Sequence, residues 1–308
     1  MLNFYFWEPI IIFTALNVAM TLGLYITAMS GQISMATAAI AGAAAYFSAV
    51  LTVKFGIPFG VALVGGAMMG GLIGAVLSAA IARMRDFILK LTTLAFGEAL
   101  AVLAFNWDYI GGANSFTGIG AETGLWTSIA VALLAALVAW RFDGSRFGFM
   151  SRAVRSDPVA ASSTGVSILQ VRMITFALGA AVVGLAGAAQ AHYVLVINPH
   201  DLGFFASLNF VIFLLFGGMY TVGGAILGAV VLTVAPEALR FSNEYRLILY
   251  GLIIVVTVMV RPNGLLMRTP MGQEARIFGM RLGGNRALVP PSRAESELLV
   301  DTVLRGPR

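Results

Sequence analysis

Long apolar runs alternate with short polar breaks along almost the entire chain. A membrane-spanning helix needs about 20 predominantly apolar residues, because the hydrocarbon layer is about 30 Å thick and a helix rises ~1.5 Å per residue. Apolar runs of about this length recur along the chain from residue 9 onward. They predict spanning segments at residues 9–29, 32–53, 58–82, 87–106, 124–141, 173–196, 204–218, 222–239 and 246–260.

The pair 204–218 and 222–239 is the least regular part of this pattern. Both runs are short, and only GGMYTVGG (217–224) lies around their junction. Three structures are compatible with this pattern: two separate spans, one broken helix or a re-entrant pair. The last two are possible because irregular backbone at membrane depth is tolerated where protein buries it. The fold expected is an all-α polytopic membrane protein with about eight or nine spanning helices.

Composition supports this class. Hydrophobic residues make up 59% and charged residues 11% of the 308, against about 45–50% and about 25% in soluble domains. The absence of cysteine excludes disulfides and thiolate metal ligands, and the two histidines argue against a zinc or haem site. No catalytic residue, metal or cofactor is predicted. The start, MLNFYFWEP, lacks the positive charge of a secretory signal peptide, so residues 10–28 are expected to be a retained span.

The basic residues predict the orientation, because cytoplasmic connections of membrane proteins are enriched in Lys and Arg. With the N-terminus outside, the inside connections and the tail hold all of the 19 Lys and Arg residues except Lys54, Arg240 and Arg246. The outside connections 106–122 and 198–203 hold none. The net charge of +5 is therefore interpreted as a topology signal, not as a nucleic-acid interface.

Two parts are expected along the chain. Residues 1–267 form the membrane domain. Residues 268–308 carry Arg, Gly and Pro with weak periodicity, and are expected to be a cytoplasmic tail that is largely disordered or lies along the membrane surface. Within the spans, Gly and Ala recur every three or four residues in 60–80 and 178–191, which predicts close helix packing.

The longest polar interruption is RAVRSDPVAASSTGVSILQVR, residues 152–172. Asp157 is a candidate N-cap, Pro158 suits a first helical turn, and Gly165 suits a helix end. The spacing predicts a short helix over 158–164 whose small residues, Ala160 and Ala161, let a soluble partner approach closely. An ordinary solvated loop is the alternative.

Three further features bear on function. Glu98 is the only acid well inside a predicted span, and it either hydrogen-bonds across helices or lines a polar cavity. A coupling role there would make the chain an ion-coupled secondary transporter. His192, near a span end, is expected at the membrane interface. The sequence contains no G-x-x-x-x-G-K-[ST], so the chain cannot bind ATP through a P-loop of its own.

The polar loop resembles the coupling loop of ABC importer permeases, whose signature is Glu-Ala-Ala, three residues, Gly. Val159 stands at the glutamate position and the usual downstream Ile-x-Leu-Pro is missing, departures that resemble the branched-chain amino acid branch. Other stretches between residues 30 and 267 resemble that branch in order: LTTLAFGEAL (91–100), NWDYIGGANSFTGI (106–119), SRFGFMSRAVRSDPVAASSTGVSI (145–168), GLAGAAQAHYVLVINPHDLGFFASL (184–208), FGGMYTVGGAILGAVVLTVAPEALR (216–240) and EYRLILYGLIIVVTVMVRPNGLL (244–266).

The chain is similar to the larger permease subunit of these importers, and the resemblance implies its partners. It implies a lipid-embedded subunit of the bacterial inner membrane, paired with a homologous permease, two cytoplasmic ATPases and an external binding protein. It implies no enzymatic activity in this chain. The ATPase contacts would be Arg152, Arg155, Asp157, Ala160, Ala161 and Gly165. The implied substrates are leucine, isoleucine or valine; urea and short amides, carried by close relatives, are the alternative.

Overall fold

Helices make up nearly all of the described chain. The computed structural model describes residues 2–82, 84, 86–239, 246–260, 264–266, 276–277 and 280–281. The α-helices are α1 Leu2–Ala28, α2 Thr37–Val53, α3 Phe59–Ile81, α4 Asp86–Phe105, α5 Leu125–Asp143, α6 Arg146–Ser156, α7 Pro158–Ser163, α8 Ile168–Val194, α9 Phe204–Gly217, α10 Val222–Ala238 and α11 Arg246–Val260. Short 3-10 helices lie at Asp108–Ile110, Gly112–Asn114 and Pro199–Leu202.

Each predicted span coincides with one of these helices, and the all-α polytopic membrane architecture is confirmed. Among the described residues, five segments are long and apolar enough to cross a membrane: Trp7–Ala28, Phe59–Ile81, Phe87–Phe105, Leu125–Asp143 and Ile168–Val194. The apolar helix α2 is shorter, at 17 residues. The number of crossings therefore depends on α2 and on the helices after α8.

Helices α9 and α10 form a bent pair with an angle of 120° between them. This geometry corresponds to the broken helix or re-entrant pair that the sequence left open. Glycines allow the two helices to approach, because a Cβ at Gly217 would run into the carbonyl oxygen of Gly224. We call the connection between them, residues 217–222, the elbow.

Helix α8 is the centre of the bundle, and α3, α1 and α2 pack on it most extensively. Small residues make this possible, as expected for helices that associate in lipid. A Cβ at Gly179 of α8 would lie 2.5 Å from the carbonyl oxygen of Gly23 in α1, and a Cβ at Gly23 would lie 2.6 Å from the carbonyl oxygen of Gly179. The backbones of α1 and α8 are therefore in direct contact.

The connection between α1 and α2 is longer than the sequence pattern suggested. The chain leaves α1 after Ala28 and re-enters a helix only at Thr37. The polar side chains of Ser30, Gln32 and Ser34 on this non-helical segment are all buried. Side chains from other helices satisfy part of its backbone, since the Met35 amide donates to Thr93 Oγ1 at 3.0 Å.

The two ends of the bundle can be told apart by their contacts. We call the end that carries α6, α7 and the elbow the coupling end. The opposite end carries residues 106–124 and 195–203, which are joined by an antiparallel bridge between Phe116 and Ile197. Because α1 packs antiparallel to α8, its N-terminal half reaches the opposite end, where Phe13 makes an edge-to-face contact with Tyr193.

The chain divides into two compact units, residues 1–266 and 267–308. In the second unit the described strands, β1 Arg276–Ile277 and β2 Met280–Arg281, pair antiparallel. Most of the tail predicted to be disordered, 268–308, lies outside the described residues, and its disorder stays a prediction.

Candidate functional site

Helix α7 lies at the coupling end where the sequence predicted a short helix. The carboxylate of Asp157 accepts hydrogen bonds from the amides of Val159 (2.9 Å) and Ala160 (3.0 Å), which makes it the N-cap. Pro158 occupies the first turn. Gly165 follows the helix with φ = +83°, a conformation that favours glycine. The predicted cap, proline and terminating glycine are confirmed.

The two faces of α7 differ in exposure. Ala161 is 5% exposed and packs with Val154 of α6 and Val171 of α8 in a small apolar cluster. Ala160 and Gly165 are exposed, and Val159 is 77% exposed. Of the small residues predicted to receive a partner, Ala160 and Gly165 therefore offer surface, whereas Ala161 seats α7 on the bundle.

The sequence did not predict α6 as a separate helix, yet α6 carries both predicted arginines of the site. Arg152 turns toward the bundle and forms an ion pair with Asp143, at 2.6 Å between Nη1 and Oδ1. The same nitrogen donates to the Asp143 carbonyl at 2.9 Å. The Tyr25 hydroxyl of α1 donates to Asp143 Oδ1 at 3.1 Å. This network joins α6 to the ends of α5 and α1.

Arg155 joins α6 to the elbow. Its Nη1 donates to the main-chain oxygen of Met219 at 3.2 Å, and Nη2 contacts the Met219 sulfur. The guanidinium carbon lies 4.4 Å from the centre of the Tyr220 ring, a cation–π geometry. The Arg155 stem also lies beside Gly31 in the connection between α1 and α2. One side chain thus touches two interruptions of the helical bundle, the elbow and the connection between α1 and α2.

A second segment holds the elbow. The amide of Leu265 donates to the Phe216 carbonyl at 3.1 Å, and the amide of Leu266 donates to the Gly217 carbonyl at 3.0 Å. These bonds satisfy carbonyl groups at the C-terminal end of α9 that have no partner within the helix. The elbow is therefore fixed on one side by the chain after α11 and on the other by Arg155.

Glu98 lies away from the coupling end and hydrogen-bonds across helices, one of its two predicted roles. Its Oε1 accepts from the amide of Phe204, the first residue of α9, at 2.7 Å. Gly203, the N-cap position of α9, has no side chain to do this. The negative carboxylate at this helix N-terminus is electrostatically favourable. Glu98 thus fixes where α9 begins.

His192 corrects an expectation, because it is fully buried rather than interfacial. Its Nδ1 lies 2.9 Å from the Ala188 carbonyl, so this nitrogen carries a proton and donates it. Its Nε2 lies 3.2 Å from the Thr52 hydroxyl of α2. The ring therefore ties α8 to α2. Hydropathy near a span end gave no signal for this burial.

Among the described residues, no group of three or more His, Asp or Glu side chains is arranged to hold a metal ion. The geometry presents the exposed short helix α7 seated on an apolar cluster. The preceding helix α6 is joined by its two arginines to the ends of α5 and α1 and to the elbow.

Residues 6–258 match the family described as "branched-chain amino acid transport system / permease component". The chain belongs to this family. It is 26% identical to the high-affinity branched-chain amino acid transport system permease protein LivM of Escherichia coli, covering 83% of this chain and 69% of that protein. It is 33% identical to LivH of Salmonella typhimurium over 47% of this chain and 46% of that one. No solved structure matches.

A third relative matches a smaller share of the chain than LivM of Escherichia coli does. The probable branched-chain amino acid transport permease LivM of Methanocaldococcus jannaschii is 25% identical over 62% of this chain and 63% of that protein. The chain is thus similar to both LivM and LivH, permeases of a multi-component transport system. The permease is a multi-pass membrane protein and a subunit of an ABC importer.

Proposed function

We propose that this permease moves branched-chain amino acids across the bacterial inner membrane in an importer driven by separate ATPase chains. Its N-terminus lies outside and its C-terminus in the cytoplasm. The observation that carries the proposal is the exposed helix α7, held by its Asp157 cap and seated through Ala161 at the end of the bundle where the basic connections cluster. Because basic connections mark the cytoplasmic side, α7 would face the compartment that holds the ATPases and offer them an exposed, rigid helix.

The proposed mechanism transmits ATPase motion through α6. When the ATPases close on ATP, α7 moves with them. Since Arg152 binds Asp143 and Arg155 binds the elbow, the same motion reaches the ends of α5 and α1 and the bent pair α9–α10. Rigid-body movement of packed helices about such links alternates access between the two sides of the membrane. The permease itself performs no chemistry on ATP, as its lack of a P-loop sequence suggests.

The partners follow from the same arrangement. A homologous permease and lipid would cover outward-facing apolar side chains such as Val61, Met68 and Leu72 of α3. Two ATPases would contact α7 at the coupling end of the two permeases. An external binding protein would dock on the opposite end, where residues 106–122 project as a loop with exposed Trp107 and Tyr109.

The substrate assignment rests on the names of the relatives, which are branched-chain amino acid permeases. The nearly uncharged spans suit an overall neutral solute, which includes zwitterions but also urea and short amides. No observation in the structure favours urea. The ion-coupled alternative loses its main support, because Glu98 is engaged in capping α9.

The test is uptake of radiolabelled leucine and urea by cells that carry this permease with its neighbouring operon genes. Each assay is run with the wild-type ATPases and with ATPases whose Walker lysine is replaced. Leucine uptake is expected with the wild-type ATPases, and it is expected to be lost when the Walker lysine is replaced. Uptake of urea alone would change the substrate, and leucine uptake that survives loss of the lysine would refute ATP coupling.

A further inference from the structure

A cavity of about 380 Å³ lies inside this subunit, among α1, α2, α8, α9 and the 3-10 helix Pro199–Leu202. Its volume falls at the small end of ligand pockets, which run from about 300 to 1,000 Å³. Phe13 and Met20 of α1 and Phe210 of α9 supply large apolar side chains to its wall. Alanines and glycines of α2 and α8 supply the remainder of the lining in the bundle.

Polar groups line the cavity near the opposite end of the bundle. They are Gln190, about one turn before α8 ends, and Asn198 and Asp201 in the following segment. Asp201 is exposed and forms no ion pair with another described residue. Gln190 makes no side-chain hydrogen bond to another described residue. The Asn198 oxygen accepts from the His200 amide at 3.0 Å, which leaves the Asn198 amide nitrogen as a donor.

We propose that this cavity is a substrate site within the single subunit and that it takes a zwitterionic amino acid with a short aliphatic side chain. The ammonium group binds the Asp201 carboxylate. The substrate carboxylate accepts from the amide nitrogens of Gln190 and Asn198. The aliphatic side chain lies against Phe13, Met20 and Phe210. The inference rests on the proposed function for its substrate class, and it places that substrate inside this chain.

The chemistry of the lining favours this ligand over an uncharged amide. A hydrogen bond between an ammonium and a carboxylate is roughly twice as strong as one between neutral groups. Urea has neither an ammonium group for Asp201 nor an aliphatic part for the apolar wall. The lining therefore favours an aliphatic amino acid over urea, the same substrate class that the names of the relatives indicate.

The site is tested by binding of tritiated leucine to the assembled permease–ATPase complex in lipid nanodiscs, without the binding protein. Asp201→Asn is expected to weaken leucine binding at least about tenfold, because the charge that holds the ammonium is lost. Ala206→Leu, which places a larger side chain in the cavity wall, is expected to weaken it comparably. Isocaproate, which lacks the ammonium group, should not displace leucine, and neither should urea.

The matched control is Glu8→Gln, which removes a carboxylate near the start of α1, at the same end of the bundle and outside the cavity lining. It should bind leucine like the wild type, and every variant is first checked for assembly by size-exclusion chromatography. Wild-type affinity in both Asp201→Asn and Ala206→Leu would overturn the site. So would the absence of saturable binding to a wild-type complex that imports leucine in cells. A wild-type importer that moves no leucine overturns the proposed function instead.

Discussion

Replacing Arg155 with methionine is expected to lower leucine uptake at least about tenfold while the complex still hydrolyses ATP. Methionine keeps an unbranched apolar stem beside Gly31 but removes the hydrogen bond to the Met219 carbonyl and the contact with the Tyr220 ring. A hydrogen bond from a charged group contributes about 1.5–3 kcal/mol, and about 1.4 kcal/mol corresponds to a tenfold change. The elbow would then no longer follow α7.

The matched control is Arg146→Met, at the first residue of the same helix. Arg146 is exposed, so its replacement makes the same change in charge without touching the elbow. The measurements are uptake into proteoliposomes and phosphate release by the same preparation. Wild-type uptake in Arg155→Met, or an equal loss in both variants, contradicts the link from α6 to the elbow.

Replacing Gly179 with leucine is expected to remove most of the folded permease from the membrane. A Cβ at this position already lies 2.5 Å from the Gly23 carbonyl oxygen and 2.6 Å from Thr27 Cγ2. This overlap is relieved only if α1 moves away from α8, the helix at the centre of the bundle. Overpacking of a well-packed interior costs about 1–3 kcal/mol and sometimes more. Gly179→Ala should produce an intermediate loss.

Gly60→Leu serves as the control for this prediction, because a Cβ at Gly60 meets no atom within 4 Å. Both variants are extracted in mild detergent and compared by the monodisperse fraction in size-exclusion chromatography and by thermal unfolding. Equal yields and equal unfolding temperatures for Gly179→Leu and Gly60→Leu would show that the contact between α1 and α8 is not needed for folding.

The helices could be predicted from sequence because the membrane demands them. Every backbone polar group in lipid must be satisfied within its segment, so long apolar runs become helices regardless of their neighbours. The loop helix α7 could also be predicted, since its cap, proline and terminating glycine are local signals that involve only Asp157, Pro158 and Gly165.

The features that the sequence left open depend on tertiary contacts. Gln32 and Ser34 fall inside the run predicted as a span and Ser30 just before it, yet all three lie on a non-helical segment that neighbouring helices bury. The bend of α9–α10 arises where two helices meet at Gly217 and Gly224. Hydropathy counts apolar residues along one segment and holds no information about which segment covers another.

In the candidate site, too, local features could be predicted from the sequence and tertiary contacts could not. That Arg152 and Arg155 belong to a basic loop can be seen in the sequence, and their charge predicts that this loop is cytoplasmic. That they point to Asp143 and Met219 instead of outward requires the positions of α5 and the elbow. Ala161 differs from Ala160 only in the face of α7 on which it lies, and only the packing of α7 on Val154 and Val171 distinguishes them.

The most direct test of the account is a cross-link from α7 to an ATPase chain. The permease has no cysteine, so Ala160→Cys introduces a single thiol into this chain at an exposed position of α7. Ala113→Cys places one at an exposed position of the opposite end. With a thiol-to-amine reagent on the assembled importer, position 160 should cross-link to the ATPase and position 113 should not. An assembled complex in which position 160 yields no ATPase adduct, or in which both positions yield it equally, would contradict the assignment of α7 as the coupling helix.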